Sequence, residues 1–314
     1  MAKTPTAPKT LQEAVRYFSD PDTCLAFMVE IRWPDGVTCP TCQSPDVRFL
    51  ATRRLWECKA KHAKRQFSAK VGTIFEDSAL GLDKWFAAIW LIANAKNGIS
   101  SYEVSRALKV TQKTAWFMLH RIRLAMQTGF VKQMSGRVEA DETFIGPALH
   151  NMHADRRKAK EAVKVEGFRY VSKAIVAGIL ERKGRVHAQV VPDTTQDTLM
   201  RPIYRQVAPG SELITDGATP YRLPAGFIHS VIDKSKSYVR GHVHTNGMEN
   251  FWSLLKRTIR GTYVNVDAFH LGRYLDEQVF RFNEGRDPRG DGGRFVSVLQ
   301  SVMGRRLTYA ALTT

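Results

Sequence analysis

Val138-Glu-Ala-Asp-Glu-Thr-Phe-Ile-Gly146 is the stretch on which the fold turns. Upstream of Met134-Ser-Gly136 the apolar residues recur at helical spacing, and downstream the pattern changes to short extended runs. The quoted stretch lies in the first of these, Arg137–Ile145, which reads as the first core strand. Ser172–Leu180, Arg185–Val191 and Glu212–Thr215 read as further strands, and Ile228–Val231 as a weaker fifth. Helices between and after these strands imply a mixed α/β domain, because a sheet must bury its faces against something.

The strand carries an acid, Asp141, where a core strand would ordinarily be apolar. Asp216 ends the run Leu213-Ile-Thr-Asp216 and precedes Gly217, so its carboxylate projects from a strand end. Glu249 opens a helix predicted over Glu249–Arg260, and Lys256 follows seven residues later on the same helical face. Each acid has an ordinary reading alone: a strand-edge charge, a turn-former, a favourable first-turn acid. Their order on strand, strand and helix supports a joint reading. Converging carboxylates can hold two metal ions that activate one oxygen and stabilise another at a phosphodiester, and a lysine beside them suits a phosphate contact.

On the N-terminal side, Thr10-Leu-Gln-Glu13 is a capping-box pattern opening a helix that ends near Ser19-Asp-Pro21, and a second helix runs through Ile31. Residues 83–127 read as three helices: Lys84–Lys96 capped by Asp83, one begun by Ser100 or Ser101, and one begun by Thr111. Ile99–Leu108 and Thr111–Met126 have the lengths of a helix-turn-helix. Gln112 and Lys113 then lie nearest a DNA groove, with Arg121 and Arg123 farther along. Ala115, Met118, Leu119 and Ile122 form the apolar stripe facing Trp85, Ile89 and Ile92.

Between these helical parts, Cys39-x2-Cys42 and Cys58-x3-His62 form two knuckles whose three thiolates and one imidazole can close tetrahedrally on structural Zn²⁺. Cys24, in the preceding helix, is the alternative donor to His62. Four cysteines in 314 residues are too few for a disulfide framework. The polar, Pro-rich start lacks the apolar region of a secretory signal, and the longest apolar stretch, Trp85 to Ala93, is about half a bilayer span. A cytosolic, nucleoid-associated protein without a membrane partner is expected. The formal charge of +17 points to a polyanion such as nucleic acid. The basic run His150–Lys164 adds to that expectation, as do Arg257 and Arg260 beside Lys256.

Taken together, these residues resemble the bacterial insertion-sequence transposases of the Merlin-related group, which join an N-terminal zinc ribbon to a ribonuclease-H-like DDE core. The resemblance is carried by Trp33-Pro-Asp-Gly-Val-Thr-Cys-Pro-Thr-Cys42, Gln66-Phe-Ser, Gly72-Thr-Ile-Phe75, Asp141-Glu-Thr-Phe-Ile-Gly146 and Thr215-Asp216. It continues through His244-Thr-Asn-Gly-Met-Glu-Asn-Phe-Trp-Ser-Leu-Leu-Lys-Arg257, Gly261-Thr-Tyr263, Tyr274-Leu-Asp-Glu277 and Arg281-Phe-Asn283. It implies cleavage of element ends and transfer of the 3′-OH to target DNA with Mg²⁺ or Mn²⁺. Asp141, Asp216 and Glu249 match the metal ligands, with Asn246 as the alternative third ligand, and Lys256 matches the lysine after the glutamate.

The resulting expectation is an α+β multidomain chain. It comprises a helical lead-in (1–32), a zinc ribbon (33–76), a helix-turn-helix-like unit (80–130), a ribonuclease-H-like core (135–290) and a C-terminal tail (291–314). Double-stranded DNA is the expected partner, bound by a homodimer or larger assembly. A zinc-ribbon DNA-binding regulator with a non-catalytic core and a hydrolysis-only nuclease are the rival functions.

Overall fold

The structure, a computed structural model, describes residues 7–127, 133–146, 155, 173–217, 221, 226–264 and 266–313. The chain divides into two compact units: Met1–Gln127 with Arg286–Thr314, and Thr128–Gly285. Each mixes helix with sheet, as an α+β protein does. Among the described residues, no helix is long and apolar enough to cross a membrane.

The first unit starts with α1 (Leu11–Tyr17), capped by the Thr10 hydroxyl, and α2 (Pro21–Arg32), capped by the Asp20 carboxylate with Pro21 in its first turn. A small antiparallel sheet follows, of β1 (Val47–Leu50), β2 (Leu55–Cys58) and β3 (Gln66–Phe67). Trp56 and Phe67 stack across it and Trp33 packs edge-on, with the Arg32 guanidinium 4.2 Å from the Trp33 ring centroid. Next come α3 (Leu82–Asn94), α4 (Ser101–Leu108, with a complete Ser100/Glu103 capping box) and α5 (Gln112–Met126). Helix α3 begins one residue before the expected cap, Asp83, at a Gly81 that supplies no side-chain cap.

The expected tail, 291–314, is instead part of this unit. Gly290-Asp-Gly-Gly reads as a break, but α9 (Gly290–Gln300) starts there and buries Phe295, Val296, Val298 and Leu299. Phe295 joins Phe18, Phe27, Phe86 and Trp90 in an aromatic cluster. Burial of these rings outweighs the poor helix propensity of three glycines. A last short helix, α10, spans Tyr309–Thr313.

The second unit is built on a five-stranded sheet. Its strands are β4 (Arg137–Ile145), β5 (Ala174–Glu181), β6 (Val186–Val191), β7 (Glu212–Asp216) and β8 (Ile228–Ile232). They lie in the order β6-β5-β4-β7-β8, antiparallel from β6 to β4 and parallel from β4 to β8. Helix α6 (Gln196–Gln206) covers one face, with Leu199, Met200 and Ile203 against Val138, Ala140, Ile175, Ala177, Ile179 and Leu213. Helices α7 (Asn246–Thr258) and α8 (Leu271–Glu284) cover the other with Met248, Phe251, Trp252, Leu255 and Leu275 against Val176, Leu180, Val186 and Ala188. Strand alternation thus sends Val138 and Ala140 toward α6 and the intervening acids, Glu139 and Asp141, toward α7. The run His150–Lys164 lies, apart from Asp155, outside the described residues.

Candidate active site

Asp141 and Asp216 are set side by side by register. The parallel β4–β7 ladder pairs Glu139 with Ile214, so two residues on, Asp141 and Asp216 leave neighbouring strands at the same level. Asp216 ends β7 and Asp141 lies midway along the longer β4, so the pair sits at the carboxyl edge of the parallel part of the sheet, where α/β sheets present ligand-binding groups. Asp141 is 8% exposed, and burial pushes its carboxyl up to about 6 despite the nearby Lys234 ammonium. The Trp252 indole N–H donates to Asp141 Oδ2 at 3.0 Å.

Glu249 reaches this pair from α7, and a residue outside the expected set joins them. Lys234, two residues past the end of β8, places its ammonium 2.9 Å from Glu249 Oε1 and 3.5 Å from Asp216 Oδ2. Burial pulls against its charge, but the Glu249 bond and the charges of Asp141, Glu249 and Asp216 raise its pKa overall. Lys256, half-buried, is shifted down by burial and by Arg260, while the Asp141 charge opposes the shift. Asn246 is exposed at the start of α7, and its backbone N–H points to His244 Nδ1 at 3.4 Å. The structure therefore brings Asp216 and Glu249 to one shared cation, with Asp141 and Lys256 electrostatically coupled to the cluster.

The placement of α7 is over-determined by a second buried acid that the sequence reading missed. Glu139, 1% exposed, accepts from the Met248 backbone N–H at 3.0 Å and so satisfies a donor at the helix N-terminus. Arg182 Nε donates to the same carboxylate at 2.9 Å, and its other nitrogens bond the backbone carbonyls of His242 at 2.6 Å and His244 at 2.7 Å. Close approach needs glycine twice. A Cβ on Gly178 would lie 2.5 Å from Met248 Cε and 2.8 Å from a Trp252 ring carbon, and one on Gly247 would lie 2.8 Å from Glu139 Oε2. The available signal was alternation: Glu139 shares the Asp141 face, and Gly247 opens the helix that must dock there.

In the first unit, the donor atoms of Cys39, Cys42, Cys58 and His62 all lie within 4.8 Å of one another. Cys39 Sγ is 3.5 Å from His62 Nε2 and Cys42 Sγ is 3.6 Å from Cys58 Sγ. Tetrahedral Zn²⁺ with bonds of about 2.3 Å to sulfur puts its ligand atoms about 3.8 Å apart, so the set fits the ion. His62 Nδ1 lies 2.5 Å from the Ala63 carbonyl, which fixes that nitrogen as the N–H and leaves Nε2 to bind metal. Burial alone would raise the Cys39 thiol, but backbone N–H groups of Cys42 and Thr41 bring it down to about 6, favouring the thiolate ligand. Cys24 is excluded: it is buried away from the knuckles, its thiol donates to the Phe18 carbonyl, and burial pushes its pKa up to about 12.

The expected DNA-facing residues of α5 divide. Lys113 is exposed, with its ammonium 4.6 Å from the Tyr309 ring centroid, and Gln112 is half-buried with its amide bonded to Ser101 Oγ at 2.9 Å. Arg121 and Arg123 are corrected from surface to interior, at 5% and 1% exposure. Arg121 donates to the carbonyls of Leu307 and Glu76 at 3.0 and 2.9 Å. The reason is the folded C-terminal segment, which covers the last turns of α5 and which reading 291–314 as a tail removes. Arg257 and Arg260 are exposed on and just after α7.

Comparison with known proteins agrees with this layout. A transposase zinc-ribbon domain matches residues 19–63, which include all four proposed zinc ligands. An ISXO2-like transposase domain matches residues 133–283. An uncharacterized protein in transposable element ISH50 of Halobacterium salinarum is 26% identical over 269 residues, covering 83% of this chain and 90% of that protein. No solved structure matches the chain. With a transposase zinc ribbon and an ISXO2-like transposase domain in one chain, the protein belongs to the insertion-sequence DDE transposases that carry an N-terminal zinc ribbon.

Proposed function

We propose that the protein cleaves the ends of its insertion sequence and joins the freed 3′-OH to target DNA, with Asp141, Asp216 and Glu249 as its catalytic carboxylates. The observation that carries this is the shared cation: a strand-end acid, Asp216, and a helix acid, Glu249, far apart in sequence, both bond the Lys234 ammonium, and the charge of mid-strand Asp141 acts on the same group. The strand order β6-β5-β4-β7-β8, with its antiparallel and parallel halves, supports a ribonuclease-H-like core.

The donor set is all carboxylate, which suits hard divalent ions such as Mg²⁺ or Mn²⁺. When bound, such ions supply activation of the attacking oxygen and stabilisation of the leaving oxygen. The protein's own contribution is positional. Trp252 orients the buried Asp141, Glu139 and Arg182 fix the N-terminus of α7, and the bond from Glu249 to the Lys234 ammonium that also meets Asp216 favours Glu249 over Asn246 as the third ligand. Lys256, Arg257 and Arg260 would hold the phosphate backbone of double-stranded DNA, while the zinc ribbon and Lys113, with a lesser part for Gln112, would hold the element ends. A homodimer or larger assembly would bring two ends together in the nucleoid.

Purified protein incubated with DNA bearing the inverted repeats that flank its coding region, plus a target plasmid and Mg²⁺, tests this reading. Joined products are expected. Cut but unjoined ends would identify a hydrolysis-only nuclease, and binding without metal-dependent cutting would identify a regulator.

A further inference from the structure

Lys234 sits at a junction that β8 determines. Ile232, the last residue of β8, pairs in register with Asp216, and the chain then turns at Asp233. That turn is tied down: the Asp233 carboxylate accepts from the Ser235 N–H at 3.0 Å and from the Ser235 hydroxyl at 2.6 Å, and the Asp233 carbonyl accepts from the Ser237 N–H at 3.0 Å. The backbone at Lys234 is therefore fixed, while its side chain, 27% exposed, has a path to solvent. A lysine carries its charge on a flexible four-carbon stem, so the ammonium can move where the backbone cannot.

We propose that Lys234 is a resident counter-ion for Asp216 and Glu249, displaced when divalent metal binds and then free to contact DNA phosphate. The proposal rests on reading the carboxylates as metal ligands. Its ammonium bonds one oxygen of each acid, Asp216 Oδ2 and Glu249 Oε1, the atoms a divalent ion drawing on both would seek. A divalent ion and an ammonium drawing on the same oxygens would lie within a few ångströms of each other, where their like charges repel. Without metal, the lysine offsets repulsion among three neighbouring acids. With metal, the same lysine is surplus positive charge at the site, and an incoming phosphodiester is the anion that would take it.

The test measures Mn²⁺ binding to the zinc-loaded full chain without DNA, by the electron paramagnetic resonance signal of free Mn²⁺. The proteins compared are wild type, Lys234→Met, Lys234→Arg and Asp216→Asn. Removing the competing cation should tighten Mn²⁺ binding in Lys234→Met roughly tenfold, a gain of about 1.4 kcal/mol. Lys234→Arg, which keeps the charge, should stay near wild type, and Asp216→Asn should lose the site. Thermal unfolding supplies a readout independent of metal affinity: metal-free Lys234→Met should melt below wild type, and Mn²⁺ should narrow the gap. Mn²⁺ binding that depends on Asp216 but is no tighter in Lys234→Met would overturn the counter-ion role alone. Absence of Asp216-dependent binding in both wild type and Lys234→Met would overturn the metal reading and this inference with it.

Discussion

The indole N–H of Trp252 donates to Asp141 Oδ2 across 3.0 Å, joining the buried acid of the central strand to the helix that carries Glu249. One residue therefore aims two candidate ligands: the ring holds Asp141 in place, and Trp252 sits one turn from Glu249 on α7. Trp252→Phe should keep the packing and lose the bond, at a cost of about 1.5–3 kcal/mol for a hydrogen bond to a charged group. We expect urea denaturation to show that loss, and strand transfer to fall more steeply than DNA affinity. Transfer at the wild-type rate would show that the indole does not aim the acid.

Asp141 also makes stability depend on pH. Its folded pKa of about 6 lies above the ordinary 3.8, so the folded protein holds this proton more tightly than the unfolded chain. Ionised Asp141 consequently costs stability above pH 6, by roughly 3 kcal/mol at most, and the cost vanishes as pH falls toward 3.8. In metal-free protein, Asp141→Asn should be more stable than wild type at pH 7, with the two converging as pH falls through that window. Thermal melts at several pH values read this, and an advantage that grows toward low pH would contradict it.

Zinc loss should be local. The ribbon's three strands are only two to four residues long, too little to hold the knuckles without the ion. Metal analysis should find one Zn²⁺ per chain in wild type and much less in Cys58→Ser. Amide exchange should rise sharply over 39–67 in that variant while the sheet of the second unit stays protected.

Two basic residues of α5 should behave oppositely. Lys113→Ala should weaken DNA binding, most visibly at low salt, and leave the melting temperature almost unchanged. Arg121→Ala removes bonds to the Leu307 and Glu76 carbonyls and should lower the melting temperature by several degrees. A binding titration and a melt on each variant separate surface from interior.

What the sequence could and could not disclose follows from which forces are local. Strand Arg137–Ile145 was legible to the residue, because turn formers bound an extended run. Asp141 stood out as an acid inside a core strand, and Asp216 and Glu249 as acids at a strand end and a helix start, in a basic chain. Lys234 did not, being one of 47 Lys and Arg residues, and only the β7–β8 register brings it to the acids. Helix α6 has Pro202 inside it, and α9 starts on glycines, so local propensity argues against both and tertiary burial decides. Arg121 looks like surface charge until a segment nearly 190 positions away bonds it, and Arg123 is likewise buried.

The decisive substitution for the carboxylate site is Asp216→Asn. The substitution keeps the side chain's shape at the end of β7 and removes the charge that Lys234 bonds. Wild type and variant would be compared on the same element-end DNA, measuring binding by mobility shift and 3′-end joining to a plasmid with Mg²⁺. If Asp216 is a catalytic carboxylate, the variant should bind DNA as tightly as wild type and lose joined product to background. Joining by Asp216→Asn at a rate near wild type would contradict that role.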